Sequence, residues 1–165
     1  SMRTGIPVYS TVNKFSYSDA YQTVTIPSDA TSAVLRMKIL PRSQEVALSA
    51  EEEALVQESM LPPVGAVWGD SVLANDTVYI MVLGPSTQII EYLWIRTNLN
   101  SAEWKSKEFD LIKYKGQTIR IQYGTYNDGI NGKSSLYVDE AYFDVCSGVL
   151  PPPPPPPPHL IVQNE

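Results

Sequence analysis

Short stretches in which apolar and polar residues alternate recur along the chain, and most of them end at a proline or a turn. The run Ala33–Leu40 is the clearest example, because its apolar residues fall on one side of an extended strand and Arg36 and Lys38 fall on the other. Pro41 follows it directly. The predicted strands are 21–26, 33–40, 77–83, 88–95, 103–111, 117–126 and 136–145. Many short strands separated by turns predict an all-β fold, a two-sheet antiparallel sandwich.

One segment departs from this pattern and predicts a helix. Ser49 followed three residues later by Glu52 forms a capping box, and the residues after it are good helix formers. Pro62 and Pro63 end the run. We therefore interpret residues 44–74 as a partly helical insertion between two core strands.

The chain also contains eight consecutive prolines, Pro151–Pro158. Proline fixes φ and has no amide donor, so this run is an extended polyproline II spacer. The predicted domain therefore covers residues 1–149, with a linker at 151–158 and a tail at 159–165 that leads to a following segment. Ordered proline runs lie in aromatic grooves, so the tail is a candidate contact with a neighbouring chain.

Composition excludes several classes of function. The net charge is −6 and the basic residues are scattered, which disfavours nucleic acid as a partner. No apolar run approaches the roughly 20 residues of a membrane span, so no membrane insertion is expected. The single Cys146 and the single His159, which lies in the tail, leave no catalytic triad and no usual zinc site, and we expect no enzyme.

The stretch from Trp104 to Val145 resembles jelly-roll modules of the galactose-binding-like and MAM-like superfamilies. Its first part carries Asp110-Leu111, Tyr114, Gly116 and Thr118, and its last strand reads Tyr137-Val138-Asp139-Glu140-Ala141. Glu140 and Ala141 stand where the family usually has Asp and Val. The resemblance implies a two-sheet antiparallel jelly roll of the kind found beside secreted bacterial peptidases and glycoside hydrolases.

The resemblance also implies a non-catalytic binding module of a larger extracellular or cell-surface protein, with carbohydrate or another surface ligand as its partner. Two alternatives stay open. The proline run favours a structural spacer or protein-interaction domain without a small-molecule ligand. A glycosidase would need two poised carboxylates, for which Asp128 and Asp139 are only formal candidates.

The expected ligand contacts lie in the loop that starts at Asn127, which is rich in amide and carboxylate side chains, and on nearby aromatic rings. The candidate ligand-binding residues are Tyr126, Asn127, Asp128, Asn131 and Trp94. Tryptophan is ambiguous, because Trp68, Trp94 and Trp104 could each be a core residue or an exposed platform.

A structural calcium ion is the expected cofactor, since the resembling modules often hold one near the last strand. Its candidate ligands are Asp76, Asp128 and Asp139, because calcium prefers hard oxygen donors. If Ala141, Phe143 and Val145 face the core, period two puts Asp139 on the same face, where a carboxylate needs a partner. Ordinary turns and an ion pair between Asp139 and an arginine are the alternatives.

Overall fold

The structure is a computed structural model that describes residues 1–68 and 75–148, apart from the side chains of Gln57, Ser59 and Met60. Its strands are β1 (Met2–Gly5), β2 (Phe15–Thr25), β3 (Ala30–Ser43), β4 (Thr77–Leu83), β5 (Ile89–Thr97), β6 (Lys105–Asp110), β7 (Thr118–Asp128) and β8 (Ser134–Ser147). Helix α1 (Ala50–Met60) lies between β3 and β4. No helix among the described residues has the length and apolar character that crossing a bilayer requires.

The strands form two four-stranded sheets. Sheet A has the order β1-β8-β3-β6, sheet B has the order β2-β7-β4-β5, and every pairing is antiparallel. This is the strand order of a jelly roll, in which each sheet takes strands from both halves of the chain. The all-β, two-sheet prediction with a partly helical insertion is therefore confirmed.

The main core fills the space between the sheets. Sheet A contributes the inward row of β3, with Leu35 and Ile39, and Leu136 of β8, all 5% exposed or less. Sheet B contributes Ile80 and Ile119, which are also almost fully buried. Alternation along each strand supplies these inward rows, as the sequence predicts.

A second, smaller core covers the outer face of sheet B. Tyr79, Met81 and Leu83 of β4 are fully buried there, although they point away from the main core. The chain that follows α1 packs onto them through Trp68, whose ring centroid lies 4.6 Å from that of Tyr79. All seven residues of β4 are thus buried, which explains why this strand is continuously apolar.

Helix α1 begins with the predicted capping box. The Glu52 amide donates to the Ser49 hydroxyl oxygen at 3.3 Å, and the Ser49 amide donates to the Glu52 carboxylate at 2.8 Å. The second bond stabilises the charged carboxylate and holds the pKa of Glu52 below its ordinary value.

Strand β3 continues through Pro41, which was expected to close it. The Pro41 carbonyl oxygen accepts a bond from the Ser101 amide at 2.9 Å, on the side away from β8. The amide and carbonyl of one strand residue point to the same side, and β6 pairs with β3 only as far as Ile39. The missing proline donor therefore removes no ladder bond.

A β-bulge in β8 overturns the expectation that Asp139 faces the core. Arg36 of β3 pairs with Tyr142 and Lys38 pairs with Asp139, so two residues of β8 stand opposite one residue of β3. Glu140, whose φ is 47°, lies in this bulge. The extra residue reverses which side chains of β8 point inward and which point outward. Asp139 consequently lies on the outer face, with its side chain 47% exposed.

The predicted linker 151–158, the tail 159–165 and its proposed contact with a neighbouring chain lie outside the described residues. The domain limits at 1–149 stay a prediction for the same reason.

Trp68→Ala should lower the free energy of unfolding by about 2–3 kcal/mol, because it removes the aromatic cover of sheet B. Trp104→Ala is the matched control and should change stability by less than about 0.5 kcal/mol, since the ring is 40% exposed. Urea denaturation of both variants measures the difference. Equal losses would mean that the insertion does not cap a second core.

Candidate functional site

The predicted ligand loop begins in a buried corner of the fold. The Asn127 side chain is fully buried, donates to the Ser134 carbonyl oxygen at 3.1 Å and accepts from the Ser134 amide at 2.7 Å. Tyr126 is 2% exposed and packs on Phe15 and Tyr17. The expectation that Tyr126 is an exposed contact residue is therefore wrong, and Asn127 joins the ends of two strands instead of reaching solvent.

The other predicted contacts do not meet at one place. Asp128 is half-buried, and its carboxylate accepts from the Ile130 amide at 2.7 Å, which closes a turn. Asn131 is exposed and left-handed, with a φ of 58°. Trp94 lies in the middle of β5 opposite Ile80, half-buried, with the Lys107 ammonium 5.2 Å from its ring centroid. It packs against the main core and is not part of the loop.

The three predicted metal ligands separate into a pair and a distant residue. The Asp76 carboxylate accepts from the Asp128 amide at 3.0 Å, so these residues share one end of the sandwich. Asp139 lies on the outer face of sheet A instead, opposite Lys38. This separation also removes Asp128 and Asp139 as a catalytic carboxylate pair. Within residues 1–68 and 75–148, no three His, Cys, Asp or Glu side chains converge as a metal cluster.

Asp76 is nevertheless an unusual carboxylate. It is 1% exposed, and its Oδ2 atom has no hydrogen-bond partner among the described residues. Burial raises the pKa of Asp76 to about 6. Asn98, whose amide donates to the Asp76 carbonyl oxygen at 2.9 Å, also has a buried side-chain oxygen without a described partner. Two unsatisfied oxygens therefore belong to neighbouring residues at this end of the sandwich.

The outer face of sheet A carries a set of exposed charged and aromatic side chains. The bulge brings Asp139 and Tyr142 onto this face together, beside Lys38 of β3. Two adjoining hollows of about 360 and 210 Å³ share Lys38, Ser106 and Glu140 in their walls. We call this surface the A-sheet trough. Its residues are Arg36, Lys38, Trp104, Ser106, Glu108, Asp139, Glu140 and Tyr142.

Ion pairs hold the charged side chains of the trough in place. The Lys38 ammonium lies 2.8 Å from the Glu140 carboxylate. The Arg36 guanidinium lies 2.8 Å from the Glu108 carboxylate and 2.5 Å from that of Asp144. The hydrogen bond from each cation to its carboxylate raises the pKa of Lys38 and of Arg36. Both cations therefore stay charged at any physiological pH.

An exposed aromatic ring stands at each end of the trough. Trp104 is 40% exposed and Tyr142 is 50% exposed. Trp104 precedes Lys105, which pairs with Ile39, whereas Tyr142 pairs with Arg36 on the other side of β3. Strand rise and strand spacing place the two positions on the order of 16 Å apart. The trough therefore suits an elongated ligand.

The sequence predicts only part of the A-sheet trough. The alternation of Arg36 and Lys38 predicts a polar outer row on β3, and this is correct. Nothing local marks Trp104 as the exposed tryptophan, because the three tryptophans differ only in what packs against them.

No protein-family model and no curated protein sequence matches the chain. One solved structure to which the chain shows a weak likeness is that of TmCBM61 in complex with β-1,4-galactotriose, with a TM-score of 0.45 and 13% sequence identity. The match covers 81% of this chain and 66% of that chain, which is just under two thirds of its length. Kinship with MAM-like or peptidase-associated modules stays a prediction.

Asp76 should make stability depend on pH. Its pKa is raised from 3.8 to about 6 in the folded state, so folding favours the protonated form. The stability it contributes is full below the unfolded value and is lost as pH rises through the folded value. Relative to Asp76→Asn, the wild-type protein should therefore lose stability between about pH 4 and about pH 7 in calcium-free buffer.

Urea midpoints of both proteins across this range measure the effect. Asp29→Asn, at an exposed turn, is the control and should follow the wild type. A constant difference between wild type and Asp76→Asn at all pH values would contradict the raised pKa.

Proposed function

We propose that this protein is a non-catalytic carbohydrate-binding module of a larger extracellular or cell-surface protein, and that the A-sheet trough holds an oligosaccharide. The observation that carries the proposal is the pair of exposed aromatic rings, Trp104 and Tyr142, with charged hydrogen-bonding groups between them.

The chemistry of the trough matches that of a sugar chain. A pyranose ring has an apolar C–H face, which packs on the flat face of an exposed indole or phenol. Its hydroxyls both donate and accept hydrogen bonds, so they need both kinds of partner nearby. Glu140 and Asp139 supply acceptors, whereas Lys38 supplies donors. Hydrogen bonds to charged groups are about twice as strong as neutral ones.

The ion pairs prepare this surface for binding. Free lysine and glutamate side chains lose rotamer entropy when a ligand fixes them, at a cost of about 0.5–1.5 kcal/mol each. Lys38 and Glu140 are already fixed by their 2.8 Å contact, so part of that cost falls on folding instead of on binding. The contact also leaves oxygen and nitrogen atoms free to bond a hydroxyl, because each group has more bonding capacity than the pair uses.

The alternative of a structural spacer depends on the proline run, which lies outside the described residues. It stays a prediction, and the trough gives it no support.

Removal of either aromatic ring should weaken carbohydrate binding. A panel of soluble neutral and acidic oligosaccharides, screened first as an array, identifies the ligand. Trp104→Ala and Tyr142→Ala should then each raise the Kd for that ligand by about tenfold or more in calorimetric titration, which corresponds to about 1.4 kcal/mol. Their melting temperatures should stay close to that of the wild type, because both rings are on the surface.

Tyr21→Ala provides the matched control. Tyr21 is 57% exposed, but it lies on β2 of the other sheet, so its loss should leave the affinity unchanged. If Tyr21→Ala weakened binding as much as Trp104→Ala did, the trough would not be the binding surface.

We further propose that calcium binds at the Asp76 end of the sandwich. The residues fit this ion in part, because the Oδ2 of Asp76 and the side-chain oxygen of Asn98 are hard donors that have no hydrogen-bond partner among the described residues. Burial raises the pKa of Asp76, because a bare carboxylate is costly away from water. A divalent cation would relieve that cost by pairing with the charged form. Asp139 takes no part, because it lies on the outer face of sheet A.

Calcium should therefore raise the melting temperature of the wild type at pH 7 and leave Asp76→Asn nearly unchanged. The gain should shrink as pH falls below about 6, because protons compete for the Asp76 carboxylate. Differential scanning calorimetry with added calcium or with a chelator measures both effects. An equal rise in wild type and Asp76→Asn would place the ion elsewhere.

A further inference from the structure

The A-sheet trough has no wall at either end. Trp104 stands at one end, and the side chain of Glu103 beside it is 81% exposed. Tyr142 stands at the other end, and the side chain of Asp144, two residues further along β8, is 54% exposed. A chain molecule that lies in the trough can therefore continue past both aromatic rings into solvent.

The trough also lacks the buried polar groups of a closed pocket. A site that encloses the end of a sugar chain buries most of the terminal unit and needs inward-pointing polar groups for its hydroxyls. Several buried side-chain atoms of the described residues have no hydrogen-bond partner, but none of them belongs to the trough. The side chains of Lys38 and Glu140 are 44% and 58% exposed. The trough is therefore a surface along which a ligand lies.

Lys38, Ser106 and Glu140 form the middle of the trough, where the two hollows meet. Ser106 pairs with Lys38 across β6 and β3, and the Lys38 ammonium lies 2.8 Å from the Glu140 carboxylate. A donor, an acceptor and a hydroxyl that does both thus occur together. The middle therefore suits sugar hydroxyls, whereas the aromatic rings at the ends suit the C–H faces of sugar rings.

We propose that the trough recognises the interior of an extended, β-linked polysaccharide chain over about four sugar units, and that it selects neither a chain terminus nor a single sugar. This inference rests on the proposed carbohydrate-binding function and names its class of substrate. The span of about 16 Å between the two ring positions exceeds two linked sugar rings and matches about four units of an extended chain. The outer two units stack on Trp104 and Tyr142, and the inner two bond to the polar groups between them.

The straight course of the trough selects an extended chain. Strand register places Lys38 midway between the levels of Trp104 and Tyr142, so the three residues follow one diagonal across β6, β3 and β8. A ligand must be nearly straight to contact all three at once. A coiled chain, such as an α-1,4-linked glucan, turns away from the sheet face after it contacts the first ring.

The first experiment measures how affinity depends on chain length. The whole protein is titrated calorimetrically with β-1,4-linked oligosaccharides of glucose, mannose, xylose or N-acetylglucosamine, and with α-1,4-linked glucose oligosaccharides as the coiled contrast. For an extended chain that binds, we expect affinity to rise about tenfold or more between two and four units and then to level off. The second ring contact becomes intramolecular only when the chain reaches both rings. The α-1,4-linked series should show no such rise.

The ring variants test whether one chain contacts both ends. Trp104→Ala and Tyr142→Ala each leave a single ring, so a four-unit chain should bind them less than about threefold better than a two-unit chain. Tyr21→Ala is the matched control, because its ring is 57% exposed on the other sheet. It should keep the full dependence on chain length.

A chain of about six units with both termini altered tests recognition of the interior. Borohydride reduction opens the sugar ring at one end, and a methyl group on the 4-hydroxyl blocks the other end. About four unaltered units remain between them, so the Kd should stay within about twofold of that of the unaltered chain.

The possible failures of the inference differ from those of the proposed function. Equal affinity for one unit and for four, or loss of binding when a terminus is altered, would overturn interior recognition while a saccharide still binds. Binding of an array saccharide without binding of any extended β-linked chain would overturn the substrate class alone. Absence of binding by every saccharide on the array would overturn the proposed function and this inference with it.

Discussion

The bulge at Glu140 is the feature on which both faces of β8 depend. Before it, Leu136 and Val138 point into the core, and after it Phe143 points the same way. In a regular strand, even-numbered and odd-numbered residues point to opposite faces, so Val138 and Phe143 could not both point inward. The extra residue allows β8 to keep apolar side chains inward on both sides of the bulge. The left-handed backbone conformation of Glu140 costs about 1–2 kcal/mol.

The same bulge assembles the A-sheet trough. Asp139 and Tyr142 are three positions apart, so a regular strand would separate them, whereas the bulge puts both beside the basic row of β3. Bulges of this kind commonly increase local twist.

The two sheets divide their outer surfaces between packing and exposure. The chain after α1 covers sheet B through Trp68, which buries β4 on both faces. Sheet A has no such cover among the described residues, and its outer row is charged. This difference leaves the A-sheet trough as the polar surface with room for a ligand. The sequence shows this difference between the sheets, because β4 is continuously apolar whereas β3 alternates between apolar and polar residues.

Local patterns predict the strands well, because burial of one face requires alternation and alternation can be counted. The capping box of α1 is equally local, since Ser49 and Glu52 satisfy each other's backbone amides. The direction of Asp139 could not be predicted, because one extra residue reverses a period of two and nothing in the residue types marks it. Burial of Tyr126 depends on Phe15 and Tyr17, which come from a distant strand, and β1 is too short to alternate.

Stability and binding are physically separable in this fold. Ion pairs on the exposed trough contribute little to folding, because water screens them and their side chains lose entropy. The carboxylate of Asp76 is the opposite case, since its burial makes its charge costly wherever no partner compensates for it. The trough can therefore change its charges and aromatic rings to suit a new ligand with small effects on the sandwich. The Asp76 end has less freedom, because Asp76 is 1% exposed and its replacement changes a buried polar group.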